Sequence, residues 1–132
     1  MSHAAPPRNV LDASALLAFM HKERGWESVA RVMGRSAISA VNWSEVVGKA
    51  VTRGVPVEGL RADVEAAGIQ IVAFSADDAE ICAQFLPATR PLGLSLGDRA
   101  ALALARRLDV PVYTADRAWG RLSLNVRVRT VR

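Results

Sequence analysis

Short apolar runs alternate along this chain with longer stretches in which apolar residues return every three or four positions. The segment NVLDAS, 9–14, starts apolar and breaks into polar residues, which predicts a buried strand followed by a turn. SAISAV (36–41), IQIVAF (69–74) and VPVYTAD (110–116) repeat the signal, and NVRVRTVR (125–132), with its alternating arginines, reads as an edge strand. ALLAFMHKE and WESVARVMG predict a pair of short helices separated at Gly25. Asn42 is expected to open a helix in which Trp43, Val46, Val47, Ala50 and Val51 form one apolar stripe, and Gly54 to stop it. VPVEGLRADVEAAG predicts a further helix, with Pro56 near its start and Gly68 past its end. SADDAEICAQFL is helical and RPLGLSLG a loop. DRAALALARRL, apolar nearly all round, should be the most buried helix, and RAWGRL is a short one.

Strands alternating with helical segments imply a largely parallel sheet with helices on both faces, because parallel neighbours need crossover connections. Such sheets bind ligands beyond the carboxyl ends of their strands. The length suits a single domain over 1–132, with residues 1–8 expected as a disordered N-terminal arm. No repeat, linker or low-complexity segment interrupts it.

Composition changes this picture only a little. Seventeen basic residues against thirteen acidic ones give a net charge of +4, mostly arginine, which tolerates a polyanionic partner without requiring one. The single cysteine, Cys82, excludes an internal disulfide and sits in a helical pattern as a small core residue. The start of the chain is polar and ALLAFM is too short to span a membrane, so a cytoplasmic, membrane-free protein is expected. His3 and His21 have no partner at a metal-ligand spacing.

The carboxylates carry more information. Asp12 closes the first strand, Glu45 lies in the first turn after the second, Asp98 opens the buried helix, and Asp116 closes the fourth strand. Each alone fits a helix cap: Asn42 with Glu45 and Ser95 with Asp98 have capping-box spacing, and Asp12 and Asp116 precede helices. Capping does not explain why all four belong to elements that converge on one end of a parallel sheet. Asp78, with Ser75 three before it, serves as a control: it has the same cap pattern and nothing that associates it with the others, and Asp77 beside it reads as a solvated charge. Four clustered carboxylates raise one another's pKa unless a cation sits among them, and all-oxygen ligands suit Mg²⁺ or Mn²⁺. Carboxylates holding such an ion can activate water against a phosphodiester.

VLDASALLA around Asp12, VNWSEVV around Glu45, SLGDRAALALA around Asp98 and VYTADRAW around Asp116 resemble the four acidic motifs of PIN-domain ribonucleases, in family order and spacing, from about Asn9 to Val128. LGDRAALALA and TADRAW resemble in particular the VapC toxins of bacterial toxin-antitoxin pairs. The resemblance implies a three-layer α/β/α fold with strand order 3-2-1-4-5, a Mg²⁺ or Mn²⁺ site, and endonucleolytic cleavage of RNA. Asp12, Glu45, Asp98 and Asp116 match the acidic quartet, with Asp12, Asp98 and Asp116 as metal ligands. Ser14 and Thr114 match small polar positions that support it; as turn-forming hydroxyls they would look the same.

Arg99 and Arg117 each follow a quartet acid, and Arg121 lies one helical turn beyond Arg117, so all three are expected to meet RNA phosphates at the rim. Leu16, Leu17, Phe19, Met20, Trp26, Val29, Val32 and Met33 are more apolar side chains than two short helices bury on one face. In the family reading the surplus, on helices spanning 15–33, forms a groove for an antitoxin segment, and a homodimer is expected. Two other readings fit the same residues. One is a metal-dependent phosphatase or phosphotransferase with an aspartyl nucleophile, for which Asp12-Ala-Ser14 lacks a second acid. The other is a non-catalytic RNA-binding module.

Overall fold

A computed structural model describes residues 5–132. Its centre is a five-stranded, all-parallel sheet in the order β3-β2-β1-β4-β5, with β1 Asn9–Leu11, β2 Ser36–Ser39, β3 Ile69–Val72, β4 Val112–Thr114 and β5 Val128–Thr130. This is the three-layer α/β/α arrangement and strand order expected of the motifs. Side chains alternate across the pleat. Val10, Ala37 and Val112 face one layer, where they pack with α5 (Ala76–Gln84) and α7 (Leu96–Leu108). Leu11, Ile38 and Ile69 face the other, packing with α1 (Ala13–Met20), α2 (Trp26–Val32), α3 (Ala40–Thr52) and α4 (Leu60–Ala66).

α7 is the most buried helix: Ala100 through Ala105 are all enclosed. Small alanines let it lie close to the sheet, while Leu102 and Leu104 fill the space between. Gly25, which caps α2, has φ 92° and lies so tightly against the backbone carbonyl of Val131 that no side chain fits there. This contact holds the α1–α2 corner against the end of the chain.

Four local expectations need correction. α3 starts at Ala40 with Ser39 as its cap, so Asn42 lies inside the helix and is not its opening residue. The helix expected from Val55 shortens to α4, because Val55 and Val57 face solvent and give a helix nothing to pack on. RAWGRL is a 3-10 turn, Arg117–Arg121. Of the expected arm, residues 5–8 are tied down: the Arg8 amide donates to the Arg35 carbonyl, Arg35 to Pro6, and Gln70 to Ala5. His3 lies outside the described residues. A short α6 (Leu86–Thr89) precedes the expected loop, whose first residues, Arg90–Leu92, form a 3-10 turn. Among the described residues no helix is long and apolar enough to cross a membrane.

Candidate active site

Because every strand is parallel, the carboxyl ends of β1, β2 and β4 open onto the same side of the sheet. A cavity of about 500 Å³ lies there, and Asp12, Glu45, Asp98 and Asp116 all line it. Each arrives by its own local logic. Asp12 follows the last residue of β1 and caps α1, its Oδ1 accepting from the Ala15 amide at 2.8 Å. Asp116 lies two residues past β4 and caps the 3-10 turn through the Ala118 amide at 2.9 Å. Asp98 completes a reciprocal capping box with Ser95 at the start of α7. Glu45 projects from the second turn of α3 and accepts from Asn42 Nδ2 at 3.0 Å.

Ser14 and Thr114 knit the centre together. Ser14 Oγ donates to Asp12 Oδ1 at 2.7 Å, and Thr114 Oγ1 donates to Asp12 Oδ2 at 2.6 Å. The same two hydroxyls accept from the Ala115 and Asp116 amides, so the end of β4 is locked to the start of α1. Burial pushes the Asp12 carboxyl up to about 6; the hydroxyls of Thr114 and Ser14 and the Ala15 amide pull it down, and the nearby Asp98 charge adds to the rise. Asp12 is only 3% exposed. Among the described residues this buried acid has no ion-pair partner.

Asn42 is a site residue that spacing alone misread. Buried in α3, it donates both to Glu45 and to the Gly97 carbonyl at 2.9 Å, and thereby couples α3 to the first turn of α7. Its Oδ1 has no partner. Gly97 is needed for the same junction, since a Cβ there would come within 2.6 Å of the Glu45 carboxylate. The signal was available: Ser39, directly after the apolar run, is as good a cap as Asn42 and moves the helix start by three residues. Lys49, one turn beyond Glu45 on α3, also lines the cavity.

The arginines divide. Arg99 is turned to the neighbouring helix, where it donates to the Cys82 carbonyl of α5 at 3.1 Å, and it does not line the cavity. This corrects its expected place at the rim: successive helix positions point about 100° apart, so Asp98 and Arg99 cannot both face the cavity. Arg117 and Arg121 are exposed, and neither lines the cavity. In a 3-10 turn residues four apart diverge by about 120°, so these two do not share a face. His21 is exposed and touches Arg53. Asp78, the control, is a buried cap whose oxygens accept from Arg107, and Asp77 is exposed. Of the first helix pair, Leu16, Val29 and Met33 are buried, while Leu17, Phe19, Met20, Trp26 and Val32 remain half-buried, with Lys22 stacked over Phe19 and Trp26.

The donor set suits a hard divalent cation. All four cavity acids offer oxygen, and none makes an ion pair among the described residues. Among the described residues Asp98 Oδ1, Asp116 Oδ2 and Glu45 Oε2 accept no hydrogen bond, and Asp12 Oδ2 accepts only one. Among the described residues no three acid, histidine or cysteine side chains lie close enough together to hold a metal ion between them. Mg²⁺ keeps several waters and takes only one or two carboxylates directly, so such an ion could be shared by these acids partly through water.

Over residues 10–124 the chain matches the model of the PIN domain, and it belongs to that family. No curated protein matches it by sequence. Among solved structures it is similar to a toxin-antitoxin complex from Klebsiella pneumoniae, at 20% identity and a TM-score of 0.71 over 94% of this chain and 98% of the other. DNA-bound VapBC from Salmonella typhimurium is similar at 18% identity and 0.71 over 96% and 99%. VapC20 of Mycobacterium tuberculosis, a sarcin-ricin loop cleaving toxin, is similar at 16% and 0.63 over 90% and 98%. At such identities the likeness establishes a shared fold.

Proposed function

We infer that this chain is a divalent-metal-dependent endoribonuclease acting as the toxin of a type II toxin-antitoxin pair. The observation that carries the reading is the single cavity lined by Asp12, Glu45, Asp98 and Asp116, in a chain of the PIN family. Asp12, Asp98 and Asp116 would hold Mg²⁺ or Mn²⁺ directly or through water, and Glu45 would complete the shell or orient the attacking water. Bound there, the ion supplies a water of lowered pKa and neutralises charge developing on the phosphodiester. The chain's own part is placement. Ser14 and Thr114 fix both oxygens of Asp12, Asn42 and Gly97 hold Glu45 against α7, and the exposed Arg117 and Arg121 can pair with phosphates at the rim.

The half-buried row on α1 and α2 is the surface for an antitoxin segment, and the similar structures that are toxin-antitoxin complexes support that partner. A homodimer and a cytoplasmic location go with the same reading. Purified protein incubated with total RNA, with Mg²⁺, with Mn²⁺ or with chelator, followed by sequencing of new RNA ends, tests it. Discrete cuts that require the metal and disappear in Asp12→Asn support the reading; cuts of equal yield in chelator, or none with either ion, overturn it.

A further inference from the structure

An acidic cavity repels the polyanion it is meant to cut, so something beside it has to hold the strand. A second cavity, of about 190 Å³, adjoins the first and shares Ser14, Leu17 and Lys49 with it. Its character is the reverse. Lys49, Arg53 and Arg132 stand against one carboxylate, Glu23, and none of the three cations makes an ion pair among the described residues.

Two of the three cations have fixed contacts. Arg53 Nη1 lies 3.1 Å from both ring nitrogens of His21, a position possible only over the ring face, because in the plane it would collide with the carbon between them. The imidazole thus presents the guanidinium as a stacked platform. Arg132 Nε donates to the Ala115 carbonyl at 3.3 Å, next to the amide that Ser14 binds, so this arginine is anchored to the same end of β4 as the acidic site. Lys49, on the boundary, lines both cavities.

Resting on the nuclease reading above, we propose that Lys49, Arg53 and Arg132 form a phosphate-binding subsite that grips the RNA backbone beside the scissile phosphodiester. The acidic cavity takes the phosphate to be cut, and the basic cavity takes one further along the same strand. This supplies the backbone neutralisation that Arg99, committed to α5, does not. The subsite reads charge and not base identity.

The test is equilibrium binding of a labelled polyuridylate over a range of salt, in an Asp12→Asn background that does not cut, and in parallel with the native chain in chelator in case that background folds poorly. Arg53→Glu is expected to weaken binding about tenfold and to reduce the slope of log K against log salt by about 0.7. Arg53→Glu with Arg132→Glu should reduce it by about twice as much, and Arg53→Lys should leave it close to the parent. An unchanged slope in the folded double variant, while the native chain still cuts RNA, overturns the subsite and leaves the nuclease intact. Normal slopes and losses in a chain that cuts no RNA would retain the subsite and remove the nuclease. If polyuridylate binding is unchanged but polyglutamate binding is lost, the pocket belongs to an acidic protein segment and the proposal fails.

Discussion

Two helices of this protein begin with the same device and use it for opposite ends. At α5, Ser75 and Asp78 form a reciprocal capping box, and at α7 Ser95 and Asp98 form another. Asp78 is then closed off: Arg107 Nε reaches it at 2.7 Å, and although burial raises its carboxyl, the Arg107 and Ser75 hydrogen bonds outweigh that and hold it below the ordinary value. Asp98 instead opens into a cavity with three other acids, one of which, Asp12, is just as buried as Asp78 yet is pushed up to about 6. Two acids equally hidden from solvent are thus shifted in opposite directions, because Asp12 lies much deeper in the protein and Asp78 has the Arg107 guanidinium beside it. A structural acid is supplied with its counter-charge. The cavity acids make no ion pair among the described residues.

The sharpest way to break this contrast is Asp12→Asn, which preserves volume but removes the charge and turns one hydrogen-bond acceptor into a donor. RNA cleavage should fall by more than about a hundredfold, since loss of a ligand exceeds the 10–100-fold typical of its supporting partners; a quantitative cleavage assay, with circular dichroism as a check on folding, reads the effect. Without divalent ions the same aspartate should set a pH dependence. Its folded value lies above its ordinary 3.8, so its contribution to stability is fully present below 3.8 and is lost as pH rises through about 6, by on the order of 3 kcal/mol. Asp78 works the other way, stabilising above 3.8 and failing as pH drops through its lower folded value. Denaturant titrations from pH 4 to 7 should show the Asp12 slope in the native chain and its absence in Asp12→Asn, and added Mn²⁺ should reduce it.

Arg107→Ala sharpens the comparison from the structural side. Leaving Asp78 enclosed and unpaired should cost about 2 kcal/mol, discounted from a fully buried pair because Arg107 is about one-third exposed. Thermal denaturation should reveal that loss, while cleavage per folded molecule stays unchanged. The smallest effect is expected at Gly97→Ala, where the new methyl meets the Glu45 carboxylate and displaces it. About a tenfold loss of cleavage with little change in melting temperature is anticipated, by analogy with loss of an outer partner of a metal site.

Much of this was legible beforehand, for physical reasons. Strand runs end where apolar residues end, which placed Asp12 and Asp116 at the mouth of the sheet, and the all-round apolar pattern of α7 declared its burial. The strand order came from the resemblance of the four motifs to a family and not from periodicity. What stayed hidden depends on single-residue boundaries and on tertiary neighbours. One serine decides whether α3 opens at Ala40 or near Asn42, and that decides whether Asn42 is a cap or the link between Glu45 and Gly97. Arg99 looked like a rim residue because it follows Asp98 in the chain, but helix geometry turns it onto α5. The basic cavity draws on α1, α3 and the end of the chain, so no local pattern could have announced it.

The central claim is that the acidic cavity captures a divalent cation through Asp12 and its neighbours, and calorimetric titration of Mn²⁺ into the purified protein tests it most directly. Saturable binding that is lost in Asp12→Asn and retained in Asp78→Asn is the predicted result. Equal binding by both variants, or no binding by the native chain, would contradict it.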